Sequence, residues 1–250
     1  AEADPTADVE GHDAAAKIAI VASIAFGAEV TSSDVHCEGI SSVSADDISF
    51  AQRHGYAIKL LAIAERFSLP GGDELSARVH PCLIPKAHPL AAVRESFNAV
   101  FVQGDAVGDL MFYGRGAGGD PTASAVLGDL VDAAVNLQSG AHASLGTFIP
   151  MSFRSNDELD AAWYLSLRVD DRPGVLAAIA GVFGSHGVSI DSMEQHSLSG
   201  PEMAADEARI DLIIHPALER DVRATLVSLS ELESVRSLGS TIRVLIDADI

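Results

Sequence analysis

The sequence predicts an α+β protein: a mostly antiparallel sheet covered by helices, followed by a smaller βαββαβ unit. Three observations carry this. Residues 56–67 and 75–84 are apolar runs rich in β-formers on either side of Pro70-Gly71-Gly72. Residues 98–103 and 106–113 repeat the pattern around Gly104-Asp105, which predicts a hairpin. From residue 163 onward, alternation and turn residues spell strand, helix, strand, strand, helix, strand, the split βαβ order of ferredoxin-like folds.

Taken in order, the first helix is expected from Asp13 to Phe26, because an apolar run opens after Lys17 and Gly27 stops it. A polar connection covers residues 31–44. Ser44 with Asp47 three residues on fits a capping box, and Gly55 caps the helix it starts, which ends near His54. The four strands described above, with these helices, fit a layer with sheet on one side and helices on the other. A glycine-rich stretch, residues 114–119, leads into a helix near Pro121 whose apolar stripe is Val126, Leu127, Leu130, Val131, Ala134 and Val135. Residues 139–160 lack periodicity. Their second half is expected to be a linker, giving a first domain over 1–154, a linker over 155–162 and a second domain over 163–250. In that domain, strands are expected over 163–169, 188–195, 208–215 and 241–246, helices over 175–186 and 217–229, and a hairpin tip over 197–206.

With 36 acids against 16 Lys plus Arg, the net charge is −20, which repels nucleic-acid phosphates and anionic membranes. No stretch has the roughly 20 apolar residues of a membrane span. Cys37 and Cys82 make no disulfide framework, and a cytoplasmic location is expected. His36, Cys37, His80 and Cys82 could be drawn as a zinc site, but their spacing matches no usual zinc motif and no metal is expected.

The chemistry concentrates in the first seventeen residues. Glu2, Asp4, Asp8 and Asp13 precede Lys17. Asp13 and Lys17, four apart, share one helix face within ion-pair reach, and Asp4-Pro5 reads as a turn that folds the acids back towards that helix. Such a loop suits a ligand with an ammonium group, with a lysine at hand to move a proton. Taken singly, the pair also reads as an ordinary solvated ion pair.

The ordered set Glu2-Ala3-Asp4-Pro5, Asp8, Gly11-His12-Asp13 and Lys17 resembles the signature of homoserine dehydrogenases. The resemblance continues through Glu38-Gly39-Ile40, the block from Val79-His80-Pro81 to His88-Pro89-Leu90, and Gly114-Arg115-Gly116-Ala117-Gly118 with Thr122-Ala123. It implies Lys17 as the proton-transfer lysine, Asp13 beside it at the reacting centre, and Glu2 and Asp8 as substrate ligands. It also implies that Gly116, Ala117 and Gly118 lie close to an NAD or NADP cofactor. The implied reaction interconverts L-homoserine and aspartate 4-semialdehyde on the route to threonine and methionine. The family places a nucleotide-binding domain ahead of this motif. The chain opens inside the motif without an initiator methionine, so it is expected to be the C-terminal part of a longer polypeptide, inactive alone, with part of the 126–135 stripe uncovered.

The second domain, with Asp171-Arg172-Pro173-Gly174 turning into a helix and Gly187-Val188-Ser189-Ile190 following, resembles an ACT domain, a regulatory module that commonly binds amino acids. Gly174 frees backbone N–H groups at a helix start for a carboxylate. Asp171, Gly174 and Val175, with Ile190 and Asp191 across the pocket, are the effector candidates, and threonine is the effector the resemblance implies. A homo-oligomer is implied too, a dimer through the first sheet with ACT pairing. Two alternatives stay open: the second domain acts only in dimerisation, or the whole chain is a non-catalytic amino-acid sensor.

Overall fold

A computed structural model describes residues 4–141, 147–197 and 206–246. The chain up to Pro85 and the chain from Ile149 form one compact unit, and Lys86–Phe148 forms another.

In the first unit, the short helix α1 (Thr6–Val9) runs through Gly11 into α2 (His12–Phe26), which Gly27 ends in the left-handed conformation, φ 64°. A two-residue strand β1 (His36–Cys37) and helix α3 (Ala45–Arg53) follow. The expected capping box forms: Ser44 Oγ accepts from the Asp47 N–H, and the Asp47 carboxylate accepts from the Ser44 N–H. Strands β2 (Tyr56–Leu69) and β3 (Gly72–Pro85) are the two predicted strands, paired as a hairpin in register from Tyr56 against Pro85 to Leu69 against Gly72. Small residues on one face of α2 (Ala15, Ala19, Ala22) let it lie close on Leu75, Ala77 and Val79 of β3 and on Leu60, Ala62 and Ala64 of β2.

The second unit holds β4 (Phe97–Gly104), β5 (Gly108–Arg115) and α4 (Gly119–Ser139). The predicted hairpin forms, but it does not join β2 and β3 in one layer as expected: β4 and β5 pair as a separate two-stranded sheet. The second edge of β3 is taken, in parallel, by three short partners drawn from distant parts of the chain. On α4 the predicted stripe is indeed uncovered, with Val126, Leu127, Leu130, Val131 and Val135 all more than half exposed.

After Ile149, which bridges back to Ala28, come β6 (Ser152–Phe153), β7 (Asp160–Asp170), α5 (Val175–Ser185), β8 (Ile190–Ser197), β9 (Glu207–Leu218), α6 (Glu219–Ser230) and β10 (Val235–Val244). The βαββαβ order is as predicted, with sheet order β10-β7-β9-β8. Most of the expected hairpin tip at 197–206 lies outside the described residues. Trp163, Leu165, Leu167 and Val169 of β7 face α5 and α6 through Ile179, Phe183, Val222 and Leu229. The opposite face, at Ala162 and Tyr164, packs with Phe50 of α3 and Leu83 of β3. The sheet then continues past β10: β6 pairs with β3 at Glu74–Leu75, β1 at Arg78–Val79 and β10 at Cys82–Leu83. One sheet thus runs through both sequence regions. Among the described residues, no helix is long and apolar enough to cross a membrane.

Candidate functional site

The acid-rich start folds as a corner. Asp4 Oδ1 accepts from the N–H and hydroxyl of Thr6 at 3.1 and 2.6 Å, which starts α1 and holds the Asp4 carboxyl below the usual range. Gly11, at φ 80°, turns the chain into α2, and a Cβ there would stand 2.8 Å from Val79 Cγ1 and 3.1 Å from Cys37 Sγ. Only glycine fits both the conformation and the space. Two turns of helix then bring Lys17 Nζ to 2.6 Å from Asp13 Oδ2. Both side chains face outward, 67% and 46% exposed, and Ile20 and Ile24 continue the same helix face, also exposed. An ammonium fixed by a carboxylate on an open face can exchange a proton with a ligand oxygen. Asp8 sits exposed on α1, whereas Glu2 lies outside the described residues.

Beneath this corner runs the segment 36–41. Cys37 Sγ donates to the Glu10 carbonyl at 3.1 Å, the Ile40 N–H to the Val9 carbonyl at 2.9 Å, and Ser41 Oγ to Glu10 Oε1 at 2.5 Å. Gly39 lies so close that a Cβ would meet Glu10 Oε2 at 2.5 Å and the Val9 carbonyl at 2.7 Å.

Two buried arginine clasps were not foreseen. Arg243 donates to both Glu38 oxygens at 3.1 and 3.0 Å and to Glu219 Oε2 at 2.8 Å, with its guanidinium 4.3 Å over the Trp163 ring. Burial pushes the Glu38 carboxyl up, but the hydrogen bond and charge of Arg243, with His36, more than offset it and hold it down to about 2. Arg209 binds Asp46 at 2.7 Å, Asp47 at 2.9 Å and Asp211 at 2.9 Å. It also donates to the Tyr164 hydroxyl, which lies 2.8 Å from both Asp47 Oδ1 and Asp211 Oδ1 and gives its one proton to either. The sequence does carry a signal for both: a charge between two apolar neighbours in a strand, Ile242-Arg243-Val244 and Ala208-Arg209-Ile210.

The predicted cofactor glycines belong to the other unit. A Cβ on Gly116 would fall 1.3 Å from Asn98 Nδ2, and Gly118, at φ 126°, precedes the first turn of α4 with no side-chain cap on its amides. Arg115, Ala117, Gly118, Gly119, Asp120 and Pro121 line a shallow open hollow. Uncapped amides, one cation and absent Cβ atoms suit the anionic edge of a nucleotide, with Asp120 the one opposing charge. Among the described residues, no group of His, Cys, Asp and Glu is placed to hold a metal ion.

For the effector candidates, Gly174 stands at φ 93° before α5, again with no side-chain cap, and open space surrounds the position a Cβ would take. Asp171 accepts from Gln195 Nε2 of β8 at 3.4 Å, which ties the turn to the edge strand. Val175 is buried in the core, Ile190 packs partly against that core, and Asp191 lies 3.6 Å from His215.

Fold and site together define a two-part α+β protein, an acid–lysine corner joined to a βαββαβ module. The homoserine dehydrogenase family model matches residues 1–131 and the ACT domain model residues 163–231. The chain therefore belongs to the homoserine dehydrogenase family and carries an ACT domain. It is 50% identical to the homoserine dehydrogenase of Corynebacterium glutamicum over 98% of this chain and 54% of that protein. The Bacillus subtilis enzyme is 41% identical, with 98% and 55% covered. The crystal structure of a homoserine dehydrogenase from Thiobacillus denitrificans superposes with a TM-score of 0.86 at 38% identity, covering 98% of this chain and 55% of that one. The chain spans about half the length of the curated relatives it matches.

Proposed function

We propose that this chain is the catalytic and regulatory part of an NAD(P)-dependent homoserine dehydrogenase, interconverting L-homoserine and L-aspartate 4-semialdehyde in threonine and methionine biosynthesis. The Asp13–Lys17 pair, at 2.6 Å on an open face and within the residues that the family model matches, carries this reading. A bound nicotinamide cofactor supplies the hydride acceptor. Lys17 Nζ, as the free amine, would take the hydroxyl proton of homoserine in oxidation and, as the ammonium, would give a proton to the aldehyde oxygen in reduction. Asp13 fixes Nζ, and Glu2 and Asp8 orient the substrate ammonium. Gly116, Ala117 and Gly118 take the cofactor's anionic edge.

In this reading the chain divides functionally into a catalytic part, 1–154, and a regulatory part, 163–250, joined by 155–162, and works in the cytoplasm. It assembles as a homo-oligomer; the exposed Val100, Val102, Leu110 and Phe112 of the β4–β5 hairpin support pairing there. An amino-acid effector, L-threonine, docks its carboxylate at the uncapped amides beyond Gly174, with Asp171, Val175, Ile190 and Asp191 shaping the site.

Two measurements test this. Titration calorimetry of L-threonine into the 250-residue protein is expected to show saturable binding, lost in Gly174→Asp, which places a carboxylate where the effector's would dock. No heat at millimolar threonine from folded protein would remove the effector assignment. The polypeptide alone is expected to oxidise no homoserine. Joined to the portion of the Corynebacterium glutamicum relative that this chain does not cover, it should turn over, and Lys17→Met should lower kcat at least about a hundredfold, the usual scale of a lost acid–base group. Full turnover in Lys17→Met would overturn the role of that lysine, and a native chimera without turnover would favour a sensor.

A further inference from the structure

We propose that the Arg243–Glu38 pair is a positioning device that holds the acid–lysine corner to the ACT domain and carries the state of that domain to it. This deepens the reading above and rests on it for the identity of the substrate.

The path is continuous on named contacts. At its far end Arg243 is held by the βαββαβ unit alone: Glu219, at the start of α6, takes one Nη2 hydrogen bond, and Trp163 of β7 lies under the guanidinium. Arg243 is 5% exposed and Glu219 8%, so this end is fixed in a dry environment. The remaining donors meet both oxygens of Glu38, a fork-to-fork pairing that sets the orientation as well as the position of that side chain.

Glu38 in turn is anchored by its N–H to the Val79 carbonyl at 2.8 Å. The next residue, Gly39, lies against Glu10 and the Val9 carbonyl with no room for a methyl group, and Ile40 donates to Val9. Val9 and Glu10 lead through Gly11 directly into the turn of α2 that carries Asp13, with the Ala15 N–H bonded to the Gly11 carbonyl at 2.9 Å. A displacement of α6 or β10 therefore reaches Asp8 and Asp13 through contacts that have no slack. The Arg209 clasp offers a built-in comparison. It also joins the two sequence regions, but it ends on α3 and touches nothing in segment 36–41 or α1.

The test reads the corner itself. In hydrogen exchange on the 250-residue protein, Glu38→Gln and Arg243→Met are expected to speed exchange of the Glu10, Ala15 and Ile40 amides about tenfold while the amides of β7 and β9 stay protected. Arg243→Lys, which keeps the charge, should recover part of that protection, and Asp46→Asn, which loosens the other clasp, should leave the corner as it was. Unchanged corner amides in Glu38→Gln, or equal loosening in Asp46→Asn, would overturn the proposal.

In the chimera described above, Glu38→Gln should raise the KM for homoserine about tenfold and lower kcat as well, since the path reaches both Asp8, a substrate ligand, and Asp13, which fixes the proton carrier. An unchanged KM would count equally against it. A native chimera that does not oxidise homoserine defeats the functional reading, and the exchange experiment still decides this one.

Discussion

Arg209→Met is expected to destabilise the protein by roughly 3–5 kcal/mol, the usual cost of breaking a buried ion pair from one side. The methionine fills much of the volume, so the loss is not a cavity effect. It strands carboxylates: Asp47 and Asp211 are 1% and 2% exposed, and each would keep its charge with its cationic partner gone. Asp47 retains hydrogen bonds from Ser44 and Ser240, whereas Asp211 retains the shared Tyr164 proton and His196 at 4.0 Å, so Asp211 is the harder of the two to keep ionised. The expected signature is a fall in Tm of roughly 10 °C, with part of the loss recovered in Arg209→Met/Asp211→Asn, where the stranded charge is removed. A loss under about 1 kcal/mol, the level of an exposed pair, would mean that water reaches this cluster in solution.

The second large effect is a pH dependence set by one histidine. His80 is 1% exposed, its Nδ1 lies 3.0 Å from the Pro81 carbonyl, and its Nε2 has no partner. Burial, and then the Arg243 guanidinium, push its imidazole from the ordinary 6.5 down to about 3; Arg78 adds to this, and Glu38 opposes it. The folded state therefore holds His80 neutral where the unfolded chain would protonate it. Stability from this group is complete above about pH 6.5 and falls as pH drops towards 3, by up to about 1.4 kcal/mol per pH unit. Glu38, depressed from 4.5 to about 2, adds a loss of the same sign only below pH 4.5. Between pH 6.5 and 4.5 the His80 contribution is thus separable. Denaturant unfolding across that window should give a steeper slope for the native protein than for His80→Gln, by about one proton. Equal slopes would mean that His80 titrates normally.

What the sequence disclosed was local. Helix α2 between Gly11 and Gly27, the capping box of α3, the β2 and β3 strands and the βαββαβ order all rest on signals within a few residues of where they act. The Asp13–Lys17 pair was legible for the same reason, since a spacing of four is a helical neighbour. Strand periodicity, by contrast, says that a strand has an apolar side and not which sheet it joins, so β4 and β5 were grouped with β2 and β3. The pairings of β3 with β1, β6 and β10 each involve two residues, too few to leave a pattern. Glu38 was visible within the Glu-Gly-Ile segment, yet its partner stands 205 residues away, and only the oddity of an arginine between two apolar neighbours hinted at it.

The shared edge of β3 also bears on how the chain is made. Its pairing groups are made roughly 160 residues before the last segment that covers them, at Arg243 and Val244. At ordinary rates of translation that delay is on the order of ten seconds, during which a long apolar strand stands with its far border open to strands of other chains. The 36 acids spread along the sequence give nascent copies a strong mutual repulsion over that interval. The excess of acids over bases thereby favours the path by which the fold is reached.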